Sequence, residues 1–204
     1  YWKFDEGGGT TAADFSAYTN NGALVAGTAN LPTWVGGKTT NAGDYALSFN
    51  GSGADDQRVE VPDASSLRLA ATWTIAAWEW STAGGYASMI TKALASANET
   101  RAWMLQAGFT GDQNNYFWSD SDPGNWRHTV ASSGYPQTGW NHWAVTYDGA
   151  NFRSYINGIL RNTVARANKP LNATGTLYLG NSSKYNGGDF YQGFAGSIDN
   201  VVIF

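Results

Sequence analysis

The sequence predicts an all-β protein, a sandwich of two antiparallel sheets, and three observations lead to this prediction. Apolar residues recur with a period of two in segments bounded by Gly, Asn and Pro, and no segment keeps the helical period of about 3.6 residues. Only 14% of the residues are charged, against about a quarter in typical soluble domains. Dipeptides that favour tight hairpin turns recur at Asn50-Gly51, Asp148-Gly149 and Asn157-Gly158.

The alternating segments give the order of the strands. The segment Trp73–Trp80 is apolar on both faces, as expected for a central strand. A short helical turn is possible over 64–69. The predicted strands are 1–6, 45–49, 58–61, 73–80, 86–91, 102–108, 115–119, 140–147, 152–156, 176–179 and 194–204. Alternation places seven apolar residues in the core: Trp2, Phe4, Leu47, Phe49, Ile75, Val145 and Ile198.

Composition excludes several classes of function. The net charge is −4 and the 12 basic residues are scattered, so no basic stripe is present to bind nucleic acid. No apolar run approaches the roughly 20 residues that span a bilayer. Cysteine is absent, which excludes disulfides and thiol chemistry. We expect residues 1–204 to form one monomeric domain, excised from a larger secreted or cell-surface protein because the sequence starts at Tyr1 without a signal peptide.

Five sequence blocks, in order along nearly the whole chain, carry a family resemblance. They are WKFDEG at 2–7, ALSFNG at 46–51, WTIAAW at 73–78, WNHWAVTYDG at 140–149 and GFAGSIDNV at 193–201. Together they resemble the bacterial laminin-G-like jelly rolls of the concanavalin A-like lectin/glucanase superfamily. The resemblance implies two stacked antiparallel sheets with the first and last strands as neighbours. It does not decide the function, because lectins, adhesion modules, glycanases and lyases share this fold.

Aromatic residues make up 15% of the chain and include 10 Trp. The resemblance places Trp2, Trp73 and Trp140 in buried blocks. Other aromatics lie near polar residues, and such combinations are typical of ligand pockets, where rings cover the apolar faces of sugars. The predicted ligand-binding residues are Trp78, Trp80, Tyr116, Trp118 and Trp126. We expect at least two of them to line one accessible groove and Phe117 to point into the core, while protein contact and simple core packing remain alternatives.

A structural calcium ion is the predicted cofactor. The segment 14–22 offers oxygen ligands from Asp14, Asn20 and Asn21, a set that suits a hard divalent cation. The resemblance implies a calcium where the opening loop meets the closing strand, near Asp199. The alternative is that Asp14 caps a turn while Asp199 accepts a hydrogen bond from a nearby backbone amide.

The case for an enzyme is weak. A glycanase needs two carboxylates facing one sugar bond, and the strand 73–80 offers Glu79 alone. Acidic pairs at 55–56 and at 120 and 122 lie in probable loops, His142 falls in a strand where a packed role is expected, and His128 falls in a loop. The sequence thus predicts a non-catalytic module that binds a polysaccharide or cell-surface glycan and is stabilised by calcium. A protein-binding adhesion domain and a glycanase or polysaccharide lyase remain the alternatives.

Overall fold

The computed structural model describes residues 1–27, 30–39, 41–51, 57–69, 71–82, 87–94, 101–107, 115–119, 130–132, 139–165, 173–182 and 193–204. A short 3-10 turn lies at Ser65–Leu67. The strands are β1 (Thr11–Ala12), β2 (Gly22–Val25), β3 (Thr33–Gly36), β4 (Tyr45–Asn50), β5 (Arg58–Val61), β6 (Trp73–Ser81), β7 (Ala87–Ala93), β8 (Arg101–Ala107), β9 (Asn115–Ser119), β10 (Val130–Ser132), β11 (Asn141–Tyr147), β12 (Asn151–Ile156), β13 (Ile159–Ala165), β14 (Leu177–Leu179) and β15 (Ala195–Ile203).

These strands form two antiparallel sheets, which confirms the predicted fold class. The eight-stranded sheet has the order β1-β2-β5-β14-β7-β8-β9-β10, and the seven-stranded sheet has the order β13-β12-β11-β6-β15-β4-β3. One hydrophobic core runs from Trp2 to Val201. All seven residues predicted for the core are buried, and so is Phe117. Within the described residues, no helix is long and apolar enough to span a bilayer. The assignment of residues 1–204 to a single domain stays a prediction.

The opening segment is the one predicted strand that does not form. Trp2 makes only isolated bridges, to Val201 and Asp14, and the backbone of Phe4 has a φ of 61°. A positive φ is incompatible with an extended strand and turns the chain. Trp2 and Val201 nevertheless exchange two backbone hydrogen bonds of 2.9 Å, so the two ends of the chain are neighbours as the resemblance implied.

Five strands were not predicted, namely β1, β2, β3, β10 and β13. Strand β13 lies at one edge of its sheet and is exposed or half-buried throughout. Its sequence therefore carries no alternation of apolar and polar residues. It forms because the Asn157-Gly158 turn, with φ of 51° and 77°, returns the chain onto β12 in the geometry of a tight hairpin.

The central strand β6 positions the candidate site. It is hydrogen-bonded to β11 on one edge and to β15 on the other. Its residues alternate between the two faces of the sheet, with Ile75, Ala77 and Glu79 buried on the inner side. Trp78 and Trp80 consequently lie on the outer face.

We predict that Phe152→Ala lowers the free energy of unfolding by about 3–5 kcal/mol, the usual cost of removing a buried aromatic ring. Phe152 is fully buried and stacks on Tyr147 with 4.6 Å between ring centroids. Its ring also lies 5.6 Å from that of Phe117, which belongs to the opposite sheet. Urea denaturation measures the change. Phe204→Ala is the matched control, because that ring is 78% exposed, and a loss of similar size in both variants would contradict the described core.

Candidate functional site

An open cleft of about 570 Å³ lies on the outer face of the seven-stranded sheet. Its lining residues are Trp78, Trp140, His142, Asn157 and Gly158. Three elements meet there: the central strand β6, the start of β11, and the hairpin turn between β12 and β13. Trp78 and His142 are direct cross-strand partners in the β6–β11 register, and alternation along both strands turns their side chains to the same face.

Hydrogen bonds hold Asn157, which lines one side of the cleft, in place. Its backbone N–H donates to the His142 carbonyl at 2.8 Å, and its side-chain oxygen accepts the His142 backbone N–H at 2.8 Å. Its amide Nδ2 donates to the side-chain oxygen of Asn141 at 2.9 Å. Because both ends of the amide are bonded, the turn is held in one position relative to β11.

Three indole rings border the cleft. The ring of Trp78 lies 5.2 Å from that of His142, and the ring of Trp80 meets that of Trp140 edge-on at 6.0 Å. Trp80 is 44% exposed, and Trp78 and Trp140 are half-buried. The cleft thus offers aromatic surface to solvent that the core does not cover.

A loop from the edge of the sheet brings a cation to the cleft. Lys38 follows β3, and its Nζ lies 5.3 Å from the centroid of the Trp78 ring, within the range of a cation–π interaction. Its backbone N–H donates to Asp199 Oδ2 at 3.2 Å. The loop closes on itself, since the Gly37 N–H donates to the Asp44 carbonyl at 2.9 Å.

Burial shifts the pKa values of two titratable side chains near Trp78, those of Asp199 and His142. Burial, followed by the charges of Asp44 and Asp5, raises the pKa of Asp199 to about 6, against the opposing effects of the Lys38 N–H and ammonium. Burial, with the Lys38 charge as the second cause, lowers the pKa of His142 below 6.5. His142 is therefore a neutral imidazole at pH 7, able to stack and to form hydrogen bonds without contributing a charge.

Four of the five predicted ligand-binding residues lie in the described part of the chain, on strands of two different sheets. Trp78 lines the cleft, and Trp80 borders it through its contact with Trp140. Tyr116 and Trp118 lie on β9 of the eight-stranded sheet, where they pair with Gln106 and Met104 of β8. Strands β6 and β9 belong to different sheets, so the prediction that at least two of the five residues line one groove depends on Trp78 and Trp80. Trp126 lies outside the described residues, as do His128 and the acidic residues at 55, 56, 120 and 122.

Three cleft residues were not predicted. Trp140 was expected in the core but is half-buried at the rim of the cleft. His142 was assigned a packed role, and Asn157 was regarded as a turn residue alone. Alternation along β11 contained the missing signal: Val145 points inward, so the even-numbered positions 140 and 142 face outward.

The predicted calcium ligands make contacts that suit turn capping. The Asp14 carboxylate accepts hydrogen bonds from the Tyr1 amino nitrogen, the Ser16 N–H and hydroxyl, and the Asn20 N–H, at 2.7–2.9 Å. The Asn21 side-chain oxygen accepts the Asp14 N–H at 2.9 Å. Burial acts to raise the pKa of Asp14, but these hydrogen bonds outweigh it and hold the pKa at about 2.

This donor arrangement does not fit a calcium ion, which takes about six to eight oxygen ligands. N–H and O–H groups already occupy the Asp14 oxygens, and Asp199 has its own partners, the Lys38 N–H and the Asn200 amide. Among the described residues, no group of three or more His, Asp or Glu side chains is placed to hold a metal ion. The observed contacts are those of the alternative in which Asp14 caps a turn, and a chelator experiment decides between this alternative and the calcium site expected from the sequence.

The fold and the aromatic cleft define a jelly-roll β-sandwich with a candidate binding surface on the outside of one sheet. The chain belongs to the concanavalin A-like lectin/glucanases superfamily, since the Laminin_G_3 family model of that description matches residues 50–204. No curated protein matches the chain at the sequence level.

Solved structures share the fold at low sequence identity. Domain 4 of AbnA, an extracellular GH43 arabinanase from Geobacillus stearothermophilus solved with arabinotriose, is 18% identical, with a TM-score of 0.68 over 99% of this chain and 89% of that one. The CBM40 of the Ruminococcus gnavus IT-sialidase is 18% identical, with a TM-score of 0.57 over 68% and 77%. A structure of botulinum neurotoxin type C, whose cell entry depends on interaction with two ganglioside molecules, is 14% identical, with a TM-score of 0.64 over 98% of this chain and 48% of that one.

We predict that His142 makes the protein less stable in mild acid. Its folded pKa is lowered, so the unfolded chain binds the proton more readily, and this contribution to stability is present above pH 6.5 and lost as the pH falls below it. The free energy of unfolding of the parent protein should therefore decrease relative to that of His142→Gln as the pH falls. Urea denaturation over a pH series measures this difference. His128→Gln, which alters the second of the 2 histidines, is the control, and parallel curves for parent and His142→Gln would contradict the prediction.

We predict that Asp14→Ala lowers the free energy of unfolding by about 1–3 kcal/mol, because several donors lose a charged acceptor. The loss should be the same with and without a chelator, and the parent's melting midpoint should not respond to the chelator. A midpoint that drops on chelation and recovers with calcium, in the parent but not in Asp14→Ala, would instead establish the calcium site.

Proposed function

We propose that this protein is a non-catalytic carbohydrate-binding module that holds its ligand at the cleft of Trp78, Trp140 and His142. The observation that carries the proposal is the cluster of three indole rings around an open cleft, one of them 44% exposed. An aromatic ring that stays in water lacks the stabilisation of roughly 25 cal/mol that each Å² of buried apolar surface would give. A cluster of such rings is therefore typical of a surface that a ligand covers.

The chemistry of the cleft matches that of a sugar. A pyranose or furanose ring has an apolar face of C–H groups and a rim of hydroxyls. Indole rings pack against such faces, while the neutral His142 and the Asn157 turn are polar groups beside them. The positions of Asn157 and His142 are fixed by their mutual hydrogen bonds, so little ordering is needed when a ligand binds.

The proteins of similar fold support the ligand class. The arabinanase domain was solved with arabinotriose, and the R. gnavus CBM40 was solved with α2,3- and α2,6-sialyllactose. Cell entry of the type C neurotoxin depends on its interaction with two ganglioside molecules. We infer from these relatives a glycan ligand and a secreted or cell-surface setting, while the expectation that the domain acts as a monomer stays a prediction.

The position of Glu79 supports a non-catalytic role. It is the acidic residue of the central strand that sequence analysis considered for glycoside hydrolysis, and it points into the sandwich with no exposed surface. A catalytic carboxylate must reach the glycosidic oxygen or the anomeric carbon. Glu79 cannot do so from the inner side of the sheet.

A protein-binding adhesion role is the second candidate. Ile159 and Leu160 begin the edge strand β13 and are both at least half exposed, and exposed apolar side chains on an edge strand suit contact with another protein. Replacing both with Thr should leave glycan binding unchanged if the Trp78 cleft is the functional site.

We predict that Trp78→Ala and Trp80→Ala each weaken glycan binding by about tenfold or more, because truncation of a central aromatic anchor commonly costs more than 1 kcal/mol. Isothermal titration with arabinotriose and sialyllactose, preceded by an array of plant, microbial and animal glycans, measures the effect. Tyr18→Ala is the matched control, since that ring is 69% exposed and is not among the residues that line the cleft. Full binding by both Trp variants, with native circular dichroism, would overturn the proposed site.

A further inference from the structure

A second cleft, of about 530 Å³, lies near the opposite edge of the same sheet. Its lining residues are Asn30, Leu31, Thr33, Ser48, Asn50 and Gln57. In β4 the alternate residues Leu47 and Phe49 are buried, so Ser48 and Asn50 face outward. The second cleft therefore borders the outer face of the seven-stranded sheet, and Gln57, which precedes β5 of the other sheet, closes it at the sheet edge.

The strand register joins the two clefts by one row of residues. Thr33 of β3 pairs with Ser48 of β4, Ser48 pairs with Ser197 of β15, and Ser197 pairs with Trp80 of β6. The ring of Trp80 then contacts that of Trp140, which lines the first cleft. The row crosses from one cleft to the other at right angles to the strands.

The row is longer than a single sugar unit. It crosses β3, β4, β15, β6 and the start of β11, which are successive strands of the sheet. Neighbouring strands lie about 4.8 Å apart, so four intervals cover about 19 Å. An arrangement of this length fits several linked sugars better than one terminal residue.

The residues of the row are uncharged. The row runs from Ser48 at the second cleft through Ser197, both half-buried, to the exposed Trp80. Small side chains leave room above the sheet, and hydroxyls match those of a sugar. No charged side chain belongs to this row, and the nearest described cation is the Lys38 ammonium at its Trp78 end, 5.3 Å from the centroid of that ring.

The second cleft is preformed in the same way as the first. Gln57 is buried, and its Oε1 accepts the Asn50 N–H at 2.8 Å. Its Nε2 donates to the carbonyls of Asn30 and Leu31 at 2.8 and 3.1 Å. Both functional atoms of the Gln57 amide are bonded, which ties the segment before β3 to the end of β4.

We propose that the outer face of the seven-stranded sheet binds an internal stretch of a linear polysaccharide, laid across the strands from the Trp78 cleft to the Gln57 cleft. This inference rests on the proposed function and adds the ligand's length and direction. A chain that occupies both clefts gains affinity because the second contact is intramolecular once the first has formed. A terminal sugar gains nothing from the row.

The test measures affinity against chain length. The probes are linear arabinan, xylan, mannan and β-glucan, with their oligosaccharides from the disaccharide to the octasaccharide, and sialyllactose as a terminal glycan. At least one linear series should bind about tenfold or more tightly as the octasaccharide than as the disaccharide. Equal affinity across the series, or binding of sialyllactose without any linear probe, would overturn the inference, and in the second case the proposed function would survive.

Blocking the row separates its role from that of the Trp78 cleft. Ser197→Tyr places a bulky ring between the clefts, and Ser48→Tyr places one at the second cleft. Each should reduce the affinity of the octasaccharide to that of the disaccharide, while the disaccharide at the Trp78 cleft should bind as before. Thr146→Tyr is the matched control, since it faces outward on β11 away from the row. Unchanged octasaccharide binding by both Ser variants would overturn the row. Trp78→Ala should weaken short and long probes alike.

Discussion

The hydrogen bonding of β6 along both of its edges is the constraint on which the rest of the structure depends. Its register with β11 and β15 decides which side chains enter the sandwich and which stay outside. A strand has a period of two, so a slip of one residue would exchange the two faces completely. Glu79 would then lie on the outer face, and Trp78 and Trp80 would enter the core. The two faces of this one strand therefore contribute residues to the core on one side and to the candidate cleft on the other.

The sequence predicted several of the strands that bury one face in the core. Strands such as β4, β6 and β11 have one face in the core, so their apolar residues alternate and their positions were predictable. Strand β13 has no buried face, and its sequence carries no such pattern. The strand predicted for the opening segment does not form for a different reason. Trp2 and Phe4 alternate and are both buried, but the pattern of apolar residues gives no information about the positive φ of Phe4.

The candidate site was predictable only within single strands. Alternation placed Trp78 and Trp80 on one face correctly, but it could not tell which sheet β9 would join. Tyr116 and Trp118 were grouped with them on composition, and pairing of β9 with β8 separated them. Lys38 and Asp199, 161 residues apart in sequence, meet over Trp78 because a loop crosses the sheet. Contacts between such distant residues depend on the order of the strands in the sheet, and the alternation of residues within one strand does not predict that order.

Rigidity is the property that connects the two clefts. In each, one amide side chain has both of its functional atoms bonded to protein, Asn157 at the first cleft and Gln57 at the second. These amides join segments that are distant along the chain, and the segments are also tied to the paired strands of the sheet. A polysaccharide is flexible and loses conformational freedom when it binds, so a surface that needs no ordering of its own retains more of the contact energy as affinity. The hydrogen-bonded sheet thus serves as the scaffold that fixes the spacing of both clefts, because strand spacing cannot change without breaking the ladders between them.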